Sequence, residues 1–109
     1  MQIKHTRDGE VLRLQVEGDL TIYGAPEAKP ALLSALSEAE ERIELDLAGV
    51  HELDSAGFQL LLLLRREAGR AGKQVCLVRH SPGVDGVLRT YHMQDYFGPS
   101  QRVDGHVGA

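Results

Sequence analysis

Between residues 43 and 64 the apolar pattern changes period once, and that change restricts the chain to a small set of folds. Ile43, Leu45 and Leu47 alternate with Glu44 and Asp46, the two-residue repeat of a strand with one buried face. The run breaks at Gly49. A short polar segment then ends in Asp54-Ser55, and a helix-length block opens with Phe58 and continues through Leu60–Leu64. Strand, loop and helix in this order place Ser55 at a helix N-terminus. Its hydroxyl there either caps the helix or is the place where chemistry happens.

The flanking segments repeat the theme. Residues 2–6 read as a short strand, turned back at Arg7-Asp8-Gly9 by an Asp-Gly pair. Val11, Leu12, Leu14 and Val16 alternate with Arg13, Gln15 and Glu17, so the two segments predict an antiparallel hairpin, closed by Gly18-Asp19. Leu20 to Gly24 is a connection. From Glu27 to Glu41, Ala28, Ala31, Leu32, Ala35, Leu36 and Ala39 recur at helical spacing. Pro26 suits the start of that helix, and Pro30 falls within its first turn or so.

The helix after Ser55 should run to about Ala71, with Gly72 as its C-cap. Its inward stripe is Gly57, Leu60, Leu61, Leu64, Ala68 and Ala71. Phe58 and Leu62 fall toward a second face beside Arg65, Arg66 and Gly69, which is either further core or a surface for a partner. Val75-Cys76-Leu77-Val78 reads as a central strand buried on both faces. Ser81-Pro82 opens another helix with the apolar face Val84, Val87, Leu88 and Tyr91. Met93, Tyr96 and Phe97 pack a turn after it, Gly98-Pro99 ends that turn, and Gln101-Arg102-Val103 is a last short strand. Residues 104–109 are Gly-rich and are expected to fray. The sum is one α/β domain spanning residues 1–109. Its mixed sheet opens with the antiparallel hairpin, continues in parallel, and is covered by three to four helices.

Composition narrows the function. With 42% hydrophobic and 26% charged residues over 109 positions, the chain resembles an ordinary globular domain with a sizeable core. A net charge of -4 argues against nucleic acid, whose phosphates demand clustered Lys and Arg. Cys76 stands alone, so a reducing compartment is expected. No segment resembles a secretion signal or reaches the ~20 apolar residues of a membrane span, and the expected location is the cytoplasm. His5, His51, His80, His92 and His106 lack ligand spacing, so no metal or other cofactor is expected. Leu53 stands where a hydrolase elbow needs glycine, and no phosphate-loop or dinucleotide fingerprint occurs. Enzymatic activity is not expected.

The residues from Gly18-Asp19-Leu20 to about Phe97 resemble a STAS domain, the family of anti-sigma-factor antagonists and related bacterial switch modules. The resemblance is carried by Leu45-Asp46-Leu47, Val50 and Leu53-Asp54-Ser55-Ala56-Gly57, and then by Ala68-Gly69-Arg70-Ala71-Gly72-Lys73 and Ser81-Pro82 with Val84, Val87 and Leu88. It implies that Ser55 is phosphorylated by a partner kinase, commonly an anti-sigma factor with a histidine-kinase-like fold, and reset by a phosphatase. It also implies that Asp54, Ser55, Ala56 and Gly57 meet the partner. The apolar pair Phe58 and Leu62 would extend that surface, and Asp19 and Tyr23 would support it. Ala56-Gly57-Phe58 departs from the commoner Ser/Thr-Gly-Leu, and the segment 18–23 resembles chemotaxis-associated members. The resemblance also leaves open a constitutive adaptor in a chemosensory or lipid-transport complex, or a small-molecule-binding module.

Overall fold

The hairpin predicted from the Asp-Gly turn forms. In the computed structural model, which describes residues 1–103, β1 (Gln2–Asp8) pairs antiparallel with β2 (Val11–Glu17). The expected frayed segment 104–109 lies outside the described residues. After α1 (Ala25–Glu38) come β3 (Arg42–Gly49), α2 (Ser55–Arg70), β4 (Gln74–His80), α3 (Pro82–Thr90) and β5 (Gln101–Arg102). The strands lie in the order β1-β2-β3-β4-β5, and every pair after the hairpin is parallel.

Register explains the core. Leu12 and Leu14 stand beside Ile43 and Leu45, which stand beside Val75 and Leu77. Because side chains alternate across a strand, all six share one face, and all are buried in the single apolar cluster that also takes the helices' stripes. The opposite face is polar. Arg13 reaches Glu44 at 2.8 Å and Arg79 reaches Asp46 at 3.0 Å. Cys76 and Val78 are only half-buried there, so β4 is not buried on both faces as its unbroken apolar run predicted. Its apolar residues on the polar side are screened by the neighbouring strands rather than by a second layer.

The helix α1 starts two residues earlier than the sequence pattern indicated and ends three earlier, leaving Pro30 in its second turn. There its ring deletes the bond that an amide would send to the Pro26 carbonyl. At the other end, Lys73 Nζ donates to the Leu36 carbonyl and Arg7 to the Glu38 carbonyl, both at 2.8 Å. Two of the carbonyls that a helix end leaves unpaired are thereby satisfied. The helix α2 ends at Arg70 with Ala71, not Gly72, as its cap, and the chain is turned away at Gly72. Its φ of +73° suits the left-handed position of a Schellman turn, and the Lys73 amide bonds back to the Ala68 carbonyl at 2.8 Å.

The far edge is braced by buried polar groups. His80 bonds Ser100 Oγ through Nδ1 at 2.6 Å and Asp85 Oδ1 through Nε2 at 3.0 Å. The other Asp85 oxygen accepts from Arg89 at 2.7 Å. That guanidinium first, and His80 after it, hold the Asp85 carboxyl below the usual carboxylate range. The network ties α3 to β4 and to the segment entering β5.

Candidate functional site: the N-terminus of α2

Two connections meet where β2 and β3 end, at the carboxyl edge of the parallel strands, the place where open α/β sheets present their ligands. The β2–α1 connection and the β3–α2 connection are stitched together by backbone. The Leu20 amide donates to the Glu52 carbonyl at 3.0 Å, and the Asp54 amide donates to the Leu20 carbonyl at 3.2 Å. Asp19 adds a side-chain bond by accepting from the Glu52 amide at 3.2 Å. From the other side, the Ser81 hydroxyl caps α3 through the Val84 amide and donates to the Val50 carbonyl. The loop that delivers Ser55 is therefore held from both flanks.

Asp54 decides what Ser55 can do. It is the N-cap of α2, its Oδ1 accepting from the Gly57 amide at 3.1 Å and its Oδ2 from the Ile22 amide at 2.8 Å. The Gly57 amide first, and the Ile22 amide next, hold its carboxyl below the usual carboxylate range. A lowered folded-state value means that the cap's contribution is present above the unfolded pKa of ~3.9 and is lost as pH falls through the folded one. With capping done by Asp54, Ser55 is the first helical residue. Its hydroxyl is exposed and makes no hydrogen bond among the described residues. The reading of Ser55 as the cap is thus replaced.

The structure divides the other predicted site residues. Ala56 is half-buried at the rim and Leu62 is half-buried one face further along α2. Gly57 is buried, and a Cβ there would stand 1.9 Å from the Leu20 carbonyl oxygen. Its service is to let the two connections touch, not to present a surface. Phe58 is a correction. It is 6% exposed and stacks on Tyr91, with ring centroids 4.8 Å apart and planes 8° apart. Position 58 faces the base of α3, so the ring is enclosed and cannot form the outward pair with Leu62. Asp19 serves the loop, and Tyr23 stands 90% exposed beside the site.

Sequence reasoning missed Ile22, which is 63% exposed and tied by its own amide to Asp54. The signal was present: an isoleucine next to a tyrosine, in a connection with neither helical nor strand periodicity, has no core to enter. Ile22 also opens a groove of about 1050 Å³ along α2, together with Ala56, Leu62, Leu63, Met93 and Tyr96. A smaller hollow that reaches Asp54, the neighbour of Ser55, is acidic, lined by Asp19, Glu27, Glu52 and Asp54. Among the described residues no group of three or more His, Cys, Asp or Glu could hold a metal ion. No described helix is long and apolar enough to cross a membrane.

The same architecture occurs in solved structures. An anti-sigma factor antagonist from Mycobacterium paratuberculosis superposes with a TM-score of 0.78 at 17% identity, over 92% of this chain and 84% of that one. The anti-sigma factor antagonist SpoIIAA in its unphosphorylated form gives a TM-score of 0.72 at 16% identity, over 94% and 89%. The phosphorylated form of the Bacillus cell-fate determinant SpoIIAA gives 0.68 at 16%, over 94% and 92%. At these identities the likeness establishes the fold. A family model described as "Mlab, STAS domain" matches residues 3–99, nearly the whole described chain, and the chain belongs to the STAS domain family.

Proposed function

We propose that this chain is a non-enzymatic regulatory module that binds a protein partner around Ser55 and is released when a partner kinase phosphorylates that residue. The partner is an anti-sigma factor or a serine kinase with a histidine-kinase-like fold, and a phosphatase resets the site. One observation carries the reading: Asp54 supplies the helix cap, so the Ser55 hydroxyl is unengaged on a rigid element beside exposed Ile22 and Tyr23. A hydroxyl with no structural duty, in a fold that also occurs in a protein solved in phosphorylated and unphosphorylated forms, is suited to modification.

The physics supports a switch without unfolding. A phosphate adds about -1.5 to -2 charges, and the start of α2 offers backbone amides to an anion. Pressed against apolar partner atoms, that charge lacks solvent, and a loss of only ~2.8 kcal/mol weakens binding about 100-fold. A second reading has its own support. The acidic hollow that reaches Asp54 opposes a further negative charge, which favours a constitutive adaptor using the same surface unmodified. Incubation with the cognate kinase and ATP, followed by intact-mass measurement, separates the two. A gain of one phosphate that disappears in Ser55→Ala is expected. No gain with the kinase that binds the chain would leave the adaptor reading in its place.

A further inference from the structure

The groove along α2 has a charge that the rest of the molecule does not share. The chain as a whole carries 16 acidic and 12 basic residues. Yet the groove is lined by Lys29, Arg65 and Arg66 and by no described Asp or Glu. Its apolar floor includes Ile22, Leu62 and Leu63. Lys29 has no ion-pair partner among the described residues. Arg66 approaches Glu67 only at 3.9 Å with its side chain 64% exposed, and the Arg65 guanidinium carbon lies over Tyr96, 4.1 Å from the ring centre. Three cations thus border apolar side chains with little internal neutralisation.

Shape selects among anionic apolar occupants. The groove follows α2 from Ala56 to Arg66, eleven residues or about 15 Å of helix, which matches about three turns of a second helix laid alongside. It is open along one side, whereas sites for small ligands enclose about 70–90% of the ligand surface. A fatty acid lying there would leave much of its chain in water. A bilayer is flat and cannot follow a trough between a helix and a turn. A helix with one apolar stripe and an acidic flank meets both requirements, placing leucine-like side chains on the floor and carboxylates against the rim.

We infer that the groove is the seat of an acidic amphipathic helix on the partner protein. The inference names the partner's chemistry and so rests on the binding-module reading, but not on phosphorylation of Ser55. So short a helix buries less than the ~1,200 Å² of a stable interface, which points to micromolar, salt-sensitive docking. Ala56 and Ile22 lie at the groove's Ser55 end, so one partner can occupy the groove and cover the serine together.

The test is selection from a phage library of helical peptides of about 14 residues, displayed multivalently, on the native chain and on a Lys29→Glu/Arg66→Glu variant. Both positions are exposed, and equal melting temperatures establish that the variant folds. The native chain should enrich peptides rich in Asp and Glu with apolar residues at helical spacing. Their retention should fall at least ~10-fold on the variant and again in ~1 M salt, where the screening length is about 3 Å. No enrichment, a pool without acidic bias, or equal retention on the variant would each overturn the inference. So would capture of phosphatidylglycerol vesicles by the native chain alone with no acidic peptide emerging, since that assigns the groove to lipid. A phosphate gained at Ser55 alongside a failed selection would sink this inference and leave the switch standing.

Discussion

Replacing Phe58 with alanine is expected to cost about 3–5 kcal/mol of stability, the usual range for emptying a buried aromatic site. In a domain of this size that lowers the melting temperature by roughly 12 °C or more. The ring is 6% exposed and lies flat against Tyr91, so truncation removes apolar burial and leaves a void between the start of α2 and the end of α3. The contrast with Leu62 sharpens the test. That side chain is half-buried on the groove, and Leu62→Ala should cost no more than about 1.5 kcal/mol. An outward Phe58 would instead tolerate alanine within ~0.5 kcal/mol, as surface positions do. Thermal and denaturant unfolding of both variants measure the difference, and a melting shift below ~2 °C for Phe58→Ala would return that ring to the surface.

The opposite pattern is expected for Ile22 and Tyr23. Both are exposed, at 63% and 90%, and the bond that Ile22 gives Asp54 comes from its backbone amide, which alanine retains. The Ile22→Ala/Tyr23→Ala double variant should therefore melt within a few degrees of the native chain. Its affinity for the partner should nevertheless drop about 30- to 100-fold, because an exposed aromatic and aliphatic pair at the centre of an interface commonly supplies 2 kcal/mol or more. Calorimetric titration of the partner against the two proteins is the measurement. Unchanged affinity would remove the β2–α1 connection from the docking surface.

Both expected results turn on residues, Phe58 and Ile22, that local sequence patterns do not place. The hairpin, the alternation in β2 and β3, the stripe of α1 and the turn at Gly72 were legible because each depends on local periodicity or turn chemistry. The orientation of Phe58 was not. It depends on Tyr91, 33 positions further on, arriving at the same corner, and no local period carries that information. The identity of the cap stayed open for a related reason. Asp54 and Ser55 are both good caps, and the tie was broken by the Ile22 amide, which reaches Asp54 across 32 positions. The open face of β4 escaped notice because a continuous apolar run looks the same whether a second layer or neighbouring strands shield it. The His80–Asp85 brace likewise forms only when β4, α3 and β5 are assembled.

The claim on which the account turns is that Ser55 sits uncapped inside the face that meets the partner. Isothermal titration of that partner with the native chain, and with chain phosphorylated enzymatically at Ser55, tests it most directly. We expect about 100-fold weaker binding after phosphorylation, with both forms melting at nearly the same temperature. Equal affinity for the two forms, or a phosphorylated chain that loses binding only because it has unfolded, would contradict it.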